Sequence, residues 1–222
     1  MTRYAIIVAG GRGQRMKSNV PKQFLELNQK PVLMHTIEKF YSASSSIHIV
    51  VVLHKSYHNV WTTFCDKYQF NIAHQICKGG PTRFQSVKNG LAYCKDEGII
   101  AVHDGVRPLI HPELIQKLYH EAESNNAVIP VYPVLESIRK SDEAGTKALD
   151  RNKYYTVQTP QCFSSELLKD AYQQNEKETF TDDASVVEAL GIEVHHFKGD
   201  RTNIKLTTPE DFLFAEGLLN RS

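Results

Sequence analysis

The chain has 222 residues, a formal net charge of +1, and 41% hydrophobic and 23% charged residues, the balance of an ordinary globular protein. That length holds one α/β domain with a sizeable core, or one domain with an appendage. A charge near zero gives no overall field for nucleic acid, and the longest apolar run, Ile49 to Leu53, is far too short to span a bilayer.

The first predicted element is a buried strand at Tyr4 to Ala9, an apolar run. Gly10, Gly11 and Gly13 follow it, where the backbone can come close to a ligand. Arg12, Arg15, Lys17 and Lys22 supply cations over a span with no acidic residue. A strand end, a glycine turn with free N–H groups and clustered cations suit a polyphosphate. The stretch is neither of the two common phosphate loops. No Gly-Lys-Ser/Thr follows the glycines, and Met16 stands where a dinucleotide fingerprint needs its third glycine.

Strand-like and helix-like segments then alternate. Pro31 starts a helical pattern carrying Val32, Leu33, Ile37 and Phe40, and Ile47 to Leu53 reads as a central strand. Tyr57 to Tyr68 predicts a helix, Ile72 to Ile76 a strand, Arg83 to Cys94 a helix and Ile99 to His103 a strand. A helix from Pro112 to about Ser124 and a strand at Ala127 to Val131 continue the series. This alternation predicts a parallel sheet with helices on both faces and ligands at the carboxyl ends of the strands.

The pattern fails between about Val134 and Pro160. Many charges, the turn Glu143-Ala144-Gly145 and the run Tyr154 to Gln158 predict a protruding hairpin with strand-forming arms. A hairpin without its own core must pack on something, and a partner subunit is a candidate. Helices near Ser165 to Gln174 and Asp182 to Leu190 follow, then strands at Ile192 to Phe197 and Ile204 to Leu206. Thr208-Pro209-Glu210-Asp211 marks the start of the last helix. The N-terminus lacks the pattern of a secretory signal, and Cys65, Cys77, Cys94 and Cys162 show no C-x-x-C spacing. Reduced thiols in a cytoplasmic protein are the expectation.

Several loops fall on the rim where this fold places ligands. Lys78-Gly79-Gly80 precedes a helix whose first turn holds Arg83 and Ser86, and its backbone either reads a base or ribose or is a plain turn. His103-Asp104-Gly105-Val106-Arg107-Pro108 closes a strand, so Asp104 can bind a ribose hydroxyl or a divalent cation. The same residues also read as a turn with a local Asp104–Arg107 ion pair. Thr181-Asp182-Asp183 reads best as a helix cap. His195 and His196 alternate across a strand and cannot form a paired metal site.

Taken together, Ala9 to Met16 with Pro21-Lys22-Gln23, His103 to Pro108, Gln158-Thr159-Pro160-Gln161, Thr181 to Ala184 and Asn203 to Leu206 resemble, in order, the motifs of the polyol-phosphate cytidylyltransferases. The resemblance spans nearly the whole chain. It implies a single nucleotidyltransferase domain over 1–222, a Rossmann-like, GT-A-like α/β sandwich with a mostly parallel mixed sheet. A hairpin arm at about 134–160 would join two copies into a homodimer. The implied reaction takes CTP and a polyol phosphate, with Mg2+, to a CDP-polyol and pyrophosphate. The acceptor stays open between 2-C-methyl-D-erythritol 4-phosphate and ribitol 5-phosphate, and a non-catalytic nucleotide-binding protein is the alternative of another class.

By the same resemblance, Arg15 and Lys22 stabilise the transition state and Lys205 orients the phosphates from the opposite side. Arg151 grips the acceptor phosphate from the partner's arm, with Ser137 near that phosphate. Ala9, Gly10, Gly11, Gly13, Gly80, Ser86, Asp104, Arg107 and Thr159 complete the substrate contacts, and Asp104 is the one candidate metal ligand. Four residues depart from the family pattern. Pro81 and Thr202 replace common acidic residues, and Gly105-Val106 replaces a pair of alanines.

Overall fold

Successive side chains of a strand point to opposite faces, so a run that is apolar throughout belongs between two layers. The structure is a computed structural model that describes residues 1–11, 21–143 and 145–220. In chain order it contains β1 (Thr2–Val8), the short pair β2 (Glu26–Leu27) and β3 (Lys30–Pro31), and α1 (Val32–Ala43). The alternating series follows as β4 (His48–Leu53), α2 (His58–Lys67), β5 (Gln75–Lys78), α3 (Arg83–Leu91), β6 (Gly98–Asp104), α4 (Pro112–Asn125) and β7 (Ala127–Pro133). Next come β8 (Arg139–Asp142), β9 (Gly145–Ala148), β10 (Tyr155–Val157) and β11 (Gln161–Ser164). The chain ends with α5 (Ser165–Ala171), α6 (Asp183–Glu188), β12 (His195–Lys198) and α7 (Pro209–Leu219).

The main sheet runs β10-β7-β11-β6-β1-β4-β5, with β12 also paired to β7. β5, β4, β1 and β6 are parallel, and Ile6 at the centre pairs with Val50 on one side and Val102 on the other. β11 is antiparallel and joins β6 to β7. This is the expected mostly parallel, mixed α/β sheet.

The alternation of β1 divides the core. Ala5 and Ile7 face α1, α2 and α4 and pack with Leu33, Phe40, Trp61 and Leu118. Tyr4 and Ile6 face the other layer, where Val87 of α3, Leu168 of α5 and Val186 of α6 close the packing. A smaller cluster, including Leu27, Val106, Leu206 and Ala215, seats α7. Local sequence sets several helix starts: the Thr82 hydroxyl accepts from the Gln85 N–H at 3.1 Å, and Asp182 caps α6 by accepting from the Ser185 N–H at 2.9 Å.

Four segments differ from the sequence expectation, one of them the strand expected at Ile192 to Phe197, which forms at His195–Lys198 where it pairs with β7. The strand placed at Ile72 to Ile76 forms at Gln75–Lys78, because pairing with Val50 to Leu53 sets its register. Ile204 to Leu206 forms no strand; the Leu206 N–H instead donates to the Val106 carbonyl at 2.9 Å. The run at 154–158 leaves the arm, and β10 pairs antiparallel with β7 in the main sheet. The protruding hairpin is β8 and β9 alone, Asp142 pairing with Gly145, and its eight strand residues are exposed; Ala144 of the expected turn lies outside the described residues.

Among the described residues no helix is long and apolar enough to cross a membrane. Phe40 is fully buried between α1 and the sheet, its ring edge-on to His103. Phe40→Ala should therefore destabilise the fold by about 3–5 kcal/mol, read from the midpoint of denaturant unfolding at unchanged slope.

Candidate active site

Loops following β1, β5 and β6 meet the segment after β12 and enclose a cleft of about 250 Å³. The Ala9 N–H donates to the Val52 carbonyl at 2.9 Å, which ties the loop after β1 to β4. Gln23, only 2% exposed, donates from Nε2 to the carbonyls of Ala9 at 2.8 Å and Gly11 at 3.3 Å. This anchor makes the Pro-Lys-Gln sequence intelligible: Pro21 begins a turn, Gln23 pins the glycine backbone, and Lys22 is left on the cleft wall.

Ala9, Gly10, Gly11, Lys22, Gly80, Ser86, Asp104 and Lys205 all line this cleft, as does Arg83. Gly13 and Arg15 lie outside the described residues. On the β5 side, the Gly80 N–H donates to Ser86 Oγ at 3.0 Å. A Cβ on Gly80 would lie 2.4 Å from the Gln85 Cβ, so the close approach of this loop to α3 requires glycine.

Asp104, at the end of β6, is the charged centre of the opposite wall. Its Oδ2 accepts from Arg107 Nε at 3.1 Å and from Lys205 Nζ at 3.1 Å. Burial alone would raise the Asp104 pKa. The nearby charges of Lys205, Arg107 and Arg83 outweigh it and hold the carboxyl well below the usual carboxylate range. The local turn and ion pair allowed by the sequence are present, with Lys205 added from a segment 101 residues away in the chain. Arg107 also donates from Nη1 to the Asn203 carbonyl at 2.8 Å, and Asn203 Nδ2 donates to the Thr159 carbonyl at 2.8 Å. These contacts fix the chain two residues before Lys205.

Arg107 and Thr159 stand behind the cleft rather than on its surface. The Asp104 N–H donates to Thr159 Oγ1 at 3.0 Å, and that hydroxyl also meets His103 Nδ1 at 3.0 Å. Burial lowers the His103 pKa to about 4, so the ring is neutral near pH 7. Its Nε2 lies 3.2 Å from the Arg107 carbonyl, which can only accept. The single ring proton therefore sits on Nε2, and Nδ1 accepts from the Thr159 hydroxyl.

Ser137 and Arg151 flank the β8–β9 hairpin at its foot, exposed, and do not line this chain's cleft. Arg151 Nη1 donates to the Leu135 carbonyl, and Asp150 caps the turn that carries Arg151.

The sequence reading did not single out the pairing of Arg83 with Asp183. Arg83 donates from Nη1 and Nη2 to the two Asp183 oxygens at 3.0 and 2.6 Å, and the Tyr172 hydroxyl donates to the same carboxylate at 2.6 Å. Burial works against the Arg83 charge, but Asp183 overrides it and holds the guanidinium firmly protonated. The expected cap role of Asp182 is present beside it, and Gln161 Nε2 donates to Asp182 at 2.8 Å. A pair of adjacent acids gives only the cap signal; nothing local announces a partner 100 residues away.

No group of three or more His, Cys, Asp or Glu side chains suited to a metal occurs among the described residues. Asp104 is the one carboxylate on the described cleft wall. The cleft as a whole is built for an anion: glycine backbone on one side, and Lys22, Arg83 and Lys205 around it.

Comparison with known proteins fits this arrangement. The family model for 2-C-methyl-D-erythritol 4-phosphate cytidylyltransferase (IspD) matches residues 4–221. A protein of that name from Phocaeicola vulgatus is 53% identical over 219 residues, covering 99% of this chain and 100% of the relative. Another, from Halalkalibacterium halodurans, is 37% identical and covers 97% and 96%. The crystal structure of 4-diphosphocytidyl-2C-methyl-D-erythritol synthase from Anaerococcus prevotii superposes with a TM-score of 0.83 at 28% identity, covering 99% of both chains.

The Arg83–Asp183 pair offers a direct test. Asp183 is fully buried, so Asp183→Ala leaves the Arg83 charge without its partner. The variant should lose about 3 kcal/mol of stability in denaturant unfolding, the low end for a broken buried pair because Arg83 keeps some access to water.

Proposed function

The chain belongs to the 2-C-methyl-D-erythritol 4-phosphate cytidylyltransferase family, and we infer that it joins CTP to 2-C-methyl-D-erythritol 4-phosphate with release of pyrophosphate. The product, 4-diphosphocytidyl-2-C-methyl-D-erythritol, belongs to non-mevalonate isoprenoid precursor synthesis. The observation that carries this reading is the convergence of the glycine loop, Lys22 and Lys205 on one cleft at the strand ends. The names borne by the family and the relatives favour methylerythritol phosphate over ribitol 5-phosphate as acceptor.

The chemistry asks for positioning and positive charge. An acceptor phosphate oxygen attacks the α-phosphorus of CTP in line, and the bond to the leaving pyrophosphate breaks. Negative charge grows on the equatorial oxygens and on the leaving group, with no covalent enzyme intermediate. The backbone around Gly10 and Gly11 and the Lys22 ammonium meet that charge on one side. Arg15 is assigned to the same task on its motif alone. Lys205, shared with Asp104, faces the phosphates from the other side. Gly80 and Ser86 form the wall for the base, and Asp104 serves the ribose or the metal.

Mg2+ is the proposed cofactor. Mg2+ is commonly held by one or two carboxylates together with substrate phosphates and water, so the single carboxylate Asp104 fits a metal that arrives with CTP. When bound, the ion would neutralise triphosphate charge.

Arg151 and Ser137 are proposed to complete the cleft of a second copy. The exposed β8–β9 hairpin has no core of its own, and Lys140 lies directly opposite Lys147, so the isolated arm is poorly stabilised. A homodimer supplies the missing packing. The free cysteines Cys65, Cys77, Cys94 and Cys162 form no disulfide with one another, which supports a reducing, cytoplasmic setting.

Pyrophosphate release with CTP and Mg2+ tests the reading, comparing the two polyol phosphates. Preference for 2-C-methyl-D-erythritol 4-phosphate is expected; preference for ribitol 5-phosphate would overturn the acceptor assignment. Silence with both, despite CTP binding, would point to a non-catalytic role. Lys22→Ala should lower kcat by about 10²–10³-fold, as loss of one preorganised transition-state contact does; a change confined to KM would deny it that role. Arg151→Ala should spare CTP affinity and weaken acceptor use. Mixing it with Lys22→Ala protein under conditions that exchange subunits should restore activity if the arm works across the dimer, and a mixture no more active than its two components would contradict that.

A further inference from the structure

His103 is fully buried beneath the cleft and touches no part of its surface. Its ring nevertheless joins two segments that carry the charged wall. Nδ1 meets the Thr159 hydroxyl, which accepts from the Asp104 N–H, and Nε2 donates to the carbonyl of Arg107. The chain of donors runs from Asp104 N–H to Thr159 Oγ1–H, through the imidazole, to the Arg107 carbonyl. It spans the base of the turn from Asp104 to Arg107.

We propose that His103 is a positioning residue for the transferase reaction, holding this turn so that Asp104 and Lys205 keep their places in the cleft. The consequence for Lys205 follows from the next contacts. Arg107 holds Asp104 through Nε and the Asn203 carbonyl through Nη1. Asn203 in turn holds the Thr159 carbonyl, which closes a ring of contacts around His103. Lys205 Nζ reaches Asp104 only while both ends of this ring are in register. Phe40 packs its ring edge-on to the imidazole at 5.1 Å between centroids, so the ring orientation is also set from α1. An apolar residue of similar volume would fill the space but leave the Arg107 carbonyl without its donor and the Thr159 hydroxyl proton without its acceptor.

The proposal rests on the transferase reading for its effect on rate, and its test has an arm that does not. In histidine 15N spectra of the full-length protein near pH 7, the His103 ring should carry its proton on Nε2 with Nδ1 bare. The reverse tautomer would overturn the proposal. In kinetics, His103→Phe should lower kcat by about 10–100-fold, the scale of a small misplacement of reacting groups, with CTP affinity by calorimetry changed far less. His103→Gln, which keeps a donor for the Arg107 carbonyl, should recover part of the loss. Equal, wild-type kcat in both folded variants would overturn the proposal, since a merely structural residue lowers the melting temperature and leaves turnover per folded molecule unchanged. If neither variant folds, the wild-type tautomer decides. If the wild type turns nothing over, the functional reading fails, while the 15N result still decides whether the hydrogen-bonded chain exists.

Discussion

Asp104 keeps a negative charge although it is only 7% exposed, and much of the site follows from that. A buried carboxylate is stable only with cations and donors around it. Lys205 and Arg107 supply the cations, Lys205 from the cleft wall and Arg107 from behind it. Removing water from one wall thus gathers positive charge beside the cleft in which the triphosphate is proposed to lie. The carboxylate also moderates that charge, so Lys205 is held in position before any ligand arrives.

The far wall is held by a second charge pair of a different kind. Asp183 has no exposure, and its three donors from Arg83 and Tyr172 join α3 to α6. Asp182, its neighbour, receives Gln161, and the Ala184 N–H donates to Gln161 Oε1 at 2.9 Å. Gln161 pairs with Val102, two residues before Asp104. The two walls are therefore linked through β11 by side-chain bonds, which favours a cleft built before substrate binds over one assembled by it. Gly105 extends the same economy of space: a Cβ there would come within 2.9 Å of the Ala9 Cβ. The absence of a side chain at Gly105 lets the β6 turn lie close against the first loop.

The arm has the opposite character. Its strands are exposed along their length, and the residues assigned to the acceptor phosphate sit there or at its foot. In the proposed reading, the body of one chain holds the nucleotide half of the site, and the acceptor half rests on segments flanking an exposed hairpin without a core of its own. Dividing the site in this way would tie catalysis to assembly.

Much of the fold was legible in the sequence because it depends on local periodicity. Val50 to Leu53 are apolar at every position because the strand is covered on both faces, and Pro112 and Asp182 mark helix starts through the chemistry of the first turn. The ordered motifs pointed to Gly10, Asp104 and Lys205, and the separate glycine turn at 78–80 to Gly80 and Ser86, all of which line the cleft. Register was not legible: β5 lies three residues beyond its expected start because pairing with β4, a non-local event, decides where a ladder begins. The same holds for Arg83 with Asp183, Lys205 with Asp104 and His103 with Thr159, partners 100, 101 and 56 residues apart in the chain. The sequence by itself determined which groups were available and the side of the sheet on which they would gather, since strand polarity sends successive loops to one rim. Only the tertiary structure decided which cations neutralise which buried carboxylates, because that choice is made by desolvation and close packing between segments distant in the chain.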